Sequence, residues 1–167
     1  MSLNRVIIGC LLSASAFGSA PVTDKNWMNH PEIRAIRSIY AEVNSAEKAG
    51  KLKKESRECV FYGGSFEMNG VLHKDANGVT QKYVVTAGSG DSTGQAEYYY
   101  DKKGIARFTY RTRAAYNGTK KEDRIYFDSS GQHLYTNHKE EGPGYAGSEL
   151  EEKVDDPVGD LANLCKE

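Results

Sequence analysis

Four arginines, Arg107, Arg111, Arg113 and Arg124, recur beside Tyr99 and Tyr126 in a stretch rich in tyrosine, valine and threonine. A guanidinium offers its N–H donors in a rigid fork, and a tyrosine joins an apolar ring to a polar hydroxyl. Both are enriched where proteins meet. The chemistry expected of this set is recognition of another protein, and its bland counterpart is a solvated face of cross-strand Arg–Glu and Arg–Tyr pairs. Reactive groups do not converge elsewhere. His30, His73, His133 and His138 stand at no metal-ligand spacing, and His133 is expected as a core imidazole near Phe127. Asp91-Ser92-Thr93-Gly94 carries one residue too many for an aspartic-protease triplet. Gly88, Gly90 and Gly94 are followed by no Lys-Ser or Lys-Thr, so Gly88 to Gly94 reads as a mobile loop. No catalytic residue, metal ligand or cofactor is assigned. A small hydrolase assembled from distant residues such as His73, Asp91 and Glu67 stays open as an alternative.

The chain has 167 residues, 27% of them charged, with a net charge of −1. A balance of that kind argues against nucleic acid as the main partner, since nucleic acid selects for clustered positive charge. Residues 1–20 read as a cleavable signal peptide. Arg5 is followed by the apolar run Val6 to Leu12, then by small residues through Gly18, Ser19 and Ala20, with Pro21 beyond. The run is too short for a transmembrane helix. A rival reading takes Ile7-Ile8-Gly9-Cys10 as a lipobox with a lipid anchor on Cys10, which would make the protein an outer-membrane lipoprotein. Residues 21–167 read as one domain with an acidic C-terminal tail. After cleavage Cys59 and Cys165 remain, and in an oxidising compartment they are expected to pair, the alternative being two buried thiols.

The elements that must position these groups are a helix and a series of hairpins. From Pro31 to Ala49, Ile33, Ile36, Tyr40 and Val43 recur at helical spacing, with Asn29 and Glu32 spaced as a capping box and Gly50 as the stop. Beyond Cys59 three Asp-x-x-Gly signatures, at Asp75, Asp101 and Asp128, read as hairpin tips. Asn117-Gly118 reads as a two-residue type I′ turn. Counting outward aligns Tyr98, Phe108, Phe127 and His133 in one row and Ala96, Tyr110, Ile125 and Tyr135 in a second. Both rows fall on a single apolar face, leaving Tyr99, Tyr126 and the arginines on the wetter side. The implied fold is α+β, with one N-terminal amphipathic helix packed on an antiparallel meander of about six to seven strands.

Tyr99-Tyr100-Asp101-Lys102-Lys103-Gly104, Asn117-Gly118-Thr119, Arg124-Ile125-Tyr126-Phe127-Asp128 and Gly142-Pro143-Gly144-Tyr145 resemble segments of a group of uncharacterised secreted bacterial proteins. The Tyr-Asp-x-x-Gly hairpins are loosely similar to YD-type and YwqK-like antitoxin repeats. Neither resemblance implies functional residues. The leading expectation is a secreted or periplasmic, non-catalytic binding protein of inhibitor or immunity type. The hydrolase and a lipid-anchored structural component of the envelope are the alternatives.

Overall fold

The computed structural model describes residues 20–147 and 149–166. The expected signal segment up to Ser19, with Cys10, lies outside them. A short 3-10 turn at Trp27–Asn29 leads into α1 (Pro31–Lys48), where Pro31 occupies the first turn without losing a hydrogen bond. Ile33, Ile36 and Val43 form its buried stripe. The helix closes in a Schellman arrangement: Gly50, at φ +67°, donates to Glu47 O and Lys51 N donates to Ala46 O. The expected capping box is not used. His30 is the N-cap and makes no side-chain cap, because its Nε2 lies 2.7 Å from Ala20 O instead.

Seven strands follow: β1 (Lys53–Phe61), β2 (Phe66–Lys74), β3 (Thr80–Ser89), β4 (Ser92–Tyr100), β5 (Ala106–Ala115), β6 (Lys120–Phe127) and β7 (His133–Glu141). They pair antiparallel in chain order, β1 to β7, and a short α2 (Pro157–Asn163) ends the chain. This is the expected α+β meander. Gly88 to Gly94, expected as a mobile loop, instead ends β3 and begins β4, with Gly88 paired to Thr93 around a tight Gly90-Asp91 turn.

The three Asp-x-x-Gly turns form as their spacing predicts. In each, one aspartate oxygen accepts from the backbone amides two and four residues on, as Asp101 does from Lys103 and Ile105. The glycines Gly78, Gly104 and Gly131 take positive φ. Each hairpin then carries one extra residue on its outgoing strand, namely Gln81, Arg107 or Leu134. Such a bulge reverses the side-chain parity beyond it. Asn117-Gly118 is not a type I′ turn either, since only its glycine has positive φ. Tyr116-Asn117-Gly118 makes a three-residue loop, closed by Ala115 N donating to Thr119 O at 3.0 Å.

The expected single-face alignment is therefore overturned. Tyr99, Phe108, Tyr126 and Tyr135 make one row, beneath α1, while Tyr98, Thr109, Ile125 and Thr136 make another on the opposite side. Phe108 and Phe127 lie on different faces. Leu72, Tyr83 and Val85 join Tyr98. Two cores result. On the helix face, Tyr40 sets its ring 4.9 Å from Tyr99 and edge-on to Phe108. On the other face the C-terminal tail crosses the sheet and buries Val154, Leu161 and Leu164. The tail is received through its carbonyls: Tyr98 donates to Glu151 O, Tyr100 to Val154 O and Arg111 to Leu150 O. The Cys59–Cys165 disulfide fastens its end. Gly70 admits α2, for a Cβ there would stand 2.8 Å from Leu161 Cδ1.

Candidate functional site

The predicted Arg/Tyr set is divided among three places. Tyr99 and Tyr126 are buried under α1. Arg124, on the same face, lies over the Tyr110 ring and pairs with Glu122. Arg111 and Arg113 point to the tail face, where Arg113 donates to Gly147 O and stacks on Tyr145 at 4.8 Å. Arg107 is the bulge residue of its hairpin, 3.4 Å from Asp101. Two tyrosines expected on the wetter side, Tyr99 and Tyr126, are thus enclosed. His133 pairs with Phe127 as expected but is exposed, its Nε2 2.8 Å from Thr136 Oγ1. His73, Glu67 and Asp91 do not converge. Six residue steps along β2 separate Glu67 from His73, roughly 20 Å of extended chain, and Asp91 sits in the β3–β4 turn.

Two polar clusters join the layers. Between α1 and the sheet, Lys82 lies 3.1 Å from Glu47 and 2.9 Å from Glu97, and Tyr99 donates to Glu97 at 2.5 Å. Burial alone would raise the Glu47 carboxyl, but Lys82, with His73 and Lys54 behind it, holds it below its ordinary value. Burial lowers the neighbouring His73 imidazole. Tyr83, Tyr98, Tyr99 and Tyr100 are driven far above the ordinary tyrosine range, with burial as the leading cause in each, so they stay protonated donors.

On the tail face Asp123 accepts from Arg111 Nη2 at 2.7 Å and lies 2.5 Å from His138 Nδ1, with Glu140 near the other ring nitrogen. The hydrogen bond to Asp123 raises the His138 pKa above its ordinary value. A raised histidine contributes its stability below the unfolded value, near 6.5, and loses it as pH rises through the folded value. Because His138 is half exposed, the effect is screened and small. A stability-versus-pH curve is expected to fall slightly just above pH 6.5 in the wild type and to be flatter in His138→Gln. Identical slopes would deny the coupling.

The accessible site lies elsewhere. Alongside α1, toward the β1–β2 and β5–β6 turns, the helix face carries an unbroken polar row across all seven strands: Glu58, Asn69, Thr86, Gln95, Thr112, Glu122 and Lys139, each paired with the next. The row beyond it runs Glu67, Gly88, Thr93, Ala114, Lys120 and Glu141. These two rows floor an open cavity of about 800 Å³. Small residues at Gly88, Thr93 and Ala114 keep the floor low, and helix α1 does not reach it.

Two tyrosines mark the turns at this end of the sheet. Tyr62, 77% exposed, sits in the β1–β2 turn at φ +51°, the one non-glycine among the described residues with positive φ, beside Gly63 and Gly64. Left-handed backbone costs a non-glycine residue on the order of 1 kcal/mol, and such strain clusters at functional sites. Tyr116, 79% exposed, tips the β5–β6 turn and meets Tyr145 edge-on, while the Tyr145 hydroxyl donates to Asp91. The floor was illegible in the sequence because its rows depend on the corrected registers. The Tyr62-Gly63-Gly64 and Tyr116-Asn117-Gly118 turns carried the available signal, an aromatic beside turn formers. Among the described residues no cluster of three or more His, Cys, Asp or Glu is placed to hold a metal, and no helix is long and apolar enough to cross a membrane. Comparison of the chain with protein-family models, curated proteins and solved structures gave no match.

Proposed function

We propose that this is an extracytoplasmic, non-catalytic binding protein of inhibitor or immunity type, which grips another protein with the Tyr62/Tyr116 end of its sheet and the polar floor between. The observation that carries this reading is the pair of exposed tyrosines at the β1–β2 and β5–β6 turns of one sheet end, which flank the β3–β4 turn. Tyrosines are among the residues that dominate binding energy at interfaces, because each joins a large apolar ring to a polar hydroxyl. The floor supplies carboxylates, amides, hydroxyls and ammonium groups of both signs, which suits a mixed polar protein surface. The Cys59–Cys165 disulfide supports a location outside the reducing cytoplasm.

A photo-reactive side chain at position 62 or 116 of the exported protein is expected to cross-link the partner in place, and one at Lys102, at the opposite end of the sheet, is not. With the partner in hand, Tyr62→Ala and Tyr116→Ala should each weaken binding by roughly 30-fold, the worth of one hot-spot residue. Gly88→Trp should block the floor, since a Cβ there meets Thr93 Cγ2 at 3.4 Å and Ser92 O at 3.6 Å, both ordinary contact distances. Cross-linking from Lys102 alone, or binding indifferent to both tyrosines, would refute the assignment.

A further inference from the structure

Strand β1 is an open edge of the sheet, paired only with β2, and Lys53 to Glu58 are all exposed. An unpaired edge offers a row of backbone donors and acceptors to another strand, and its charges decide which strand is accepted. Along Lys54-Glu55-Ser56-Arg57-Glu58 the charges run plus, minus, neutral, plus, minus. Read backwards, that order is its own complement.

We infer that the protein forms a two-fold dimer by antiparallel pairing of β1 with β1 of a second copy, centred on Ser56. Lys54 then faces Glu58 of the second copy, Glu55 faces Arg57, and symmetry repeats both pairs. Residues paired across such an axis share a face only when their numbers differ by an even step, so the axis must fall on a residue. Centred on Lys54, Glu55, Arg57 or Glu58, it sets a charge against itself. Ser56 is the position from 54 to 58 that leaves no like pair. The same register places Val60, 60% exposed in the single chain, opposite Leu52 of the second copy.

The present partners of these side chains do not stand in the way. Lys54 and Glu55 hold ion pairs with Glu47 at 3.4 Å and Lys74 at 2.8 Å, and both are more than half exposed, so these contacts are weak. Arg57 gives one N–H to Ala162 O and keeps the rest of its fork free for Glu55. The opposite edge, β7, ends in Lys139-Glu140-Glu141 and has no comparable balance. Because a two-fold perpendicular to the sheet keeps equivalent faces on one side, the joined sheet presents both polar floors in the same direction.

Sedimentation equilibrium of the wild-type chain over a wide concentration range is expected to show a monomer–dimer equilibrium. Glu58→Lys places two like pairs in the joint and should weaken the dimer about tenfold or more. Lys54→Glu combined with Glu58→Lys restores the complement and should recover it, while Glu141→Lys on the far edge should leave it unchanged. A wild-type chain that stays monomeric at the highest attainable concentration would overturn the inference and identify the edge charges as guards against pairing. So would a dimer insensitive to Glu58→Lys, or one that the double variant fails to rescue.

Discussion

Lys82→Met is expected to destabilise the protein by about 3 kcal/mol, the lower end of what breaking a buried ion pair costs when its partners remain. The Lys82 side chain is 8% exposed and its ammonium stands between Glu47 and Glu97, whose side chains are themselves mostly enclosed at 25% and 18%. It also lies 5.2 Å from the centre of the Tyr99 ring, so the stem packs where α1 meets the sheet. Methionine keeps much of that packing and removes only the charge. Glu97 would then lose its cation and Glu47 would keep only the exposed Lys54, beside a Tyr99 hydroxyl that already donates to Glu97. Equilibrium denaturation would measure the loss. Lys82→Met/Glu97→Gln should recover most of it, because the stranded Glu97 charge is gone.

The same cluster has a pH signature. Lys82 holds the Glu47 carboxyl below its ordinary value despite burial, so its contribution is present above the unfolded value near 4.5 and lost as pH falls through the folded one. In Lys82→Met that acid limb should shrink. A variant as stable as the wild type, with an unchanged acid limb, would mean that solvent and not Lys82 neutralises the two glutamates.

Cys59→Ser/Cys165→Ser should cost about 4 kcal/mol. The bridge spans a sequence separation of 106, and closing a loop of that size removes entropy mainly from the unfolded chain. The native tail has further holds, including Tyr83 to Asp160 at 2.7 Å, Tyr100 to Val154 O at 2.9 Å and the buried Leu161 and Leu164. The tail is therefore expected to stay docked at moderate temperature in the double variant. Denaturation should show a lower midpoint, and amide exchange a selective loss of protection after Leu150. A midpoint unchanged from wild type would show that the tail contacts, and not the covalent tie, carry the stability of that face. Loss of all tertiary signal would show the reverse.

Several elements were legible because their causes are local. The helix from Pro31 follows from apolar residues at its own spacing, and Gly50 ends it by adopting a conformation that other residues resist. The three Asp-x-x-Gly turns form because each aspartate bonds amides two and four residues away, which requires nothing from the rest of the chain. The pairing of Cys59 with Cys165 was expected from cysteine number and compartment alone.

What nearby residues could not settle was which side of the sheet each strand turns to the helix. A single extra residue at Gln81, Arg107 or Leu134 reverses that choice; it stands six residues after the turn aspartate in all three hairpins, on the strand and outside the Asp-x-x-Gly signature itself. In consequence Tyr99 and Tyr126, expected in water, became the floor under α1, and Arg111 and Arg113 became receptors for the tail. The acidic tail itself reads as polar and loose; it is ordered because tyrosine hydroxyls and guanidinium groups distant in sequence receive its carbonyls. The open polar rows exist for the same reason, since a surface built from one residue of every strand has no signature in any one of them.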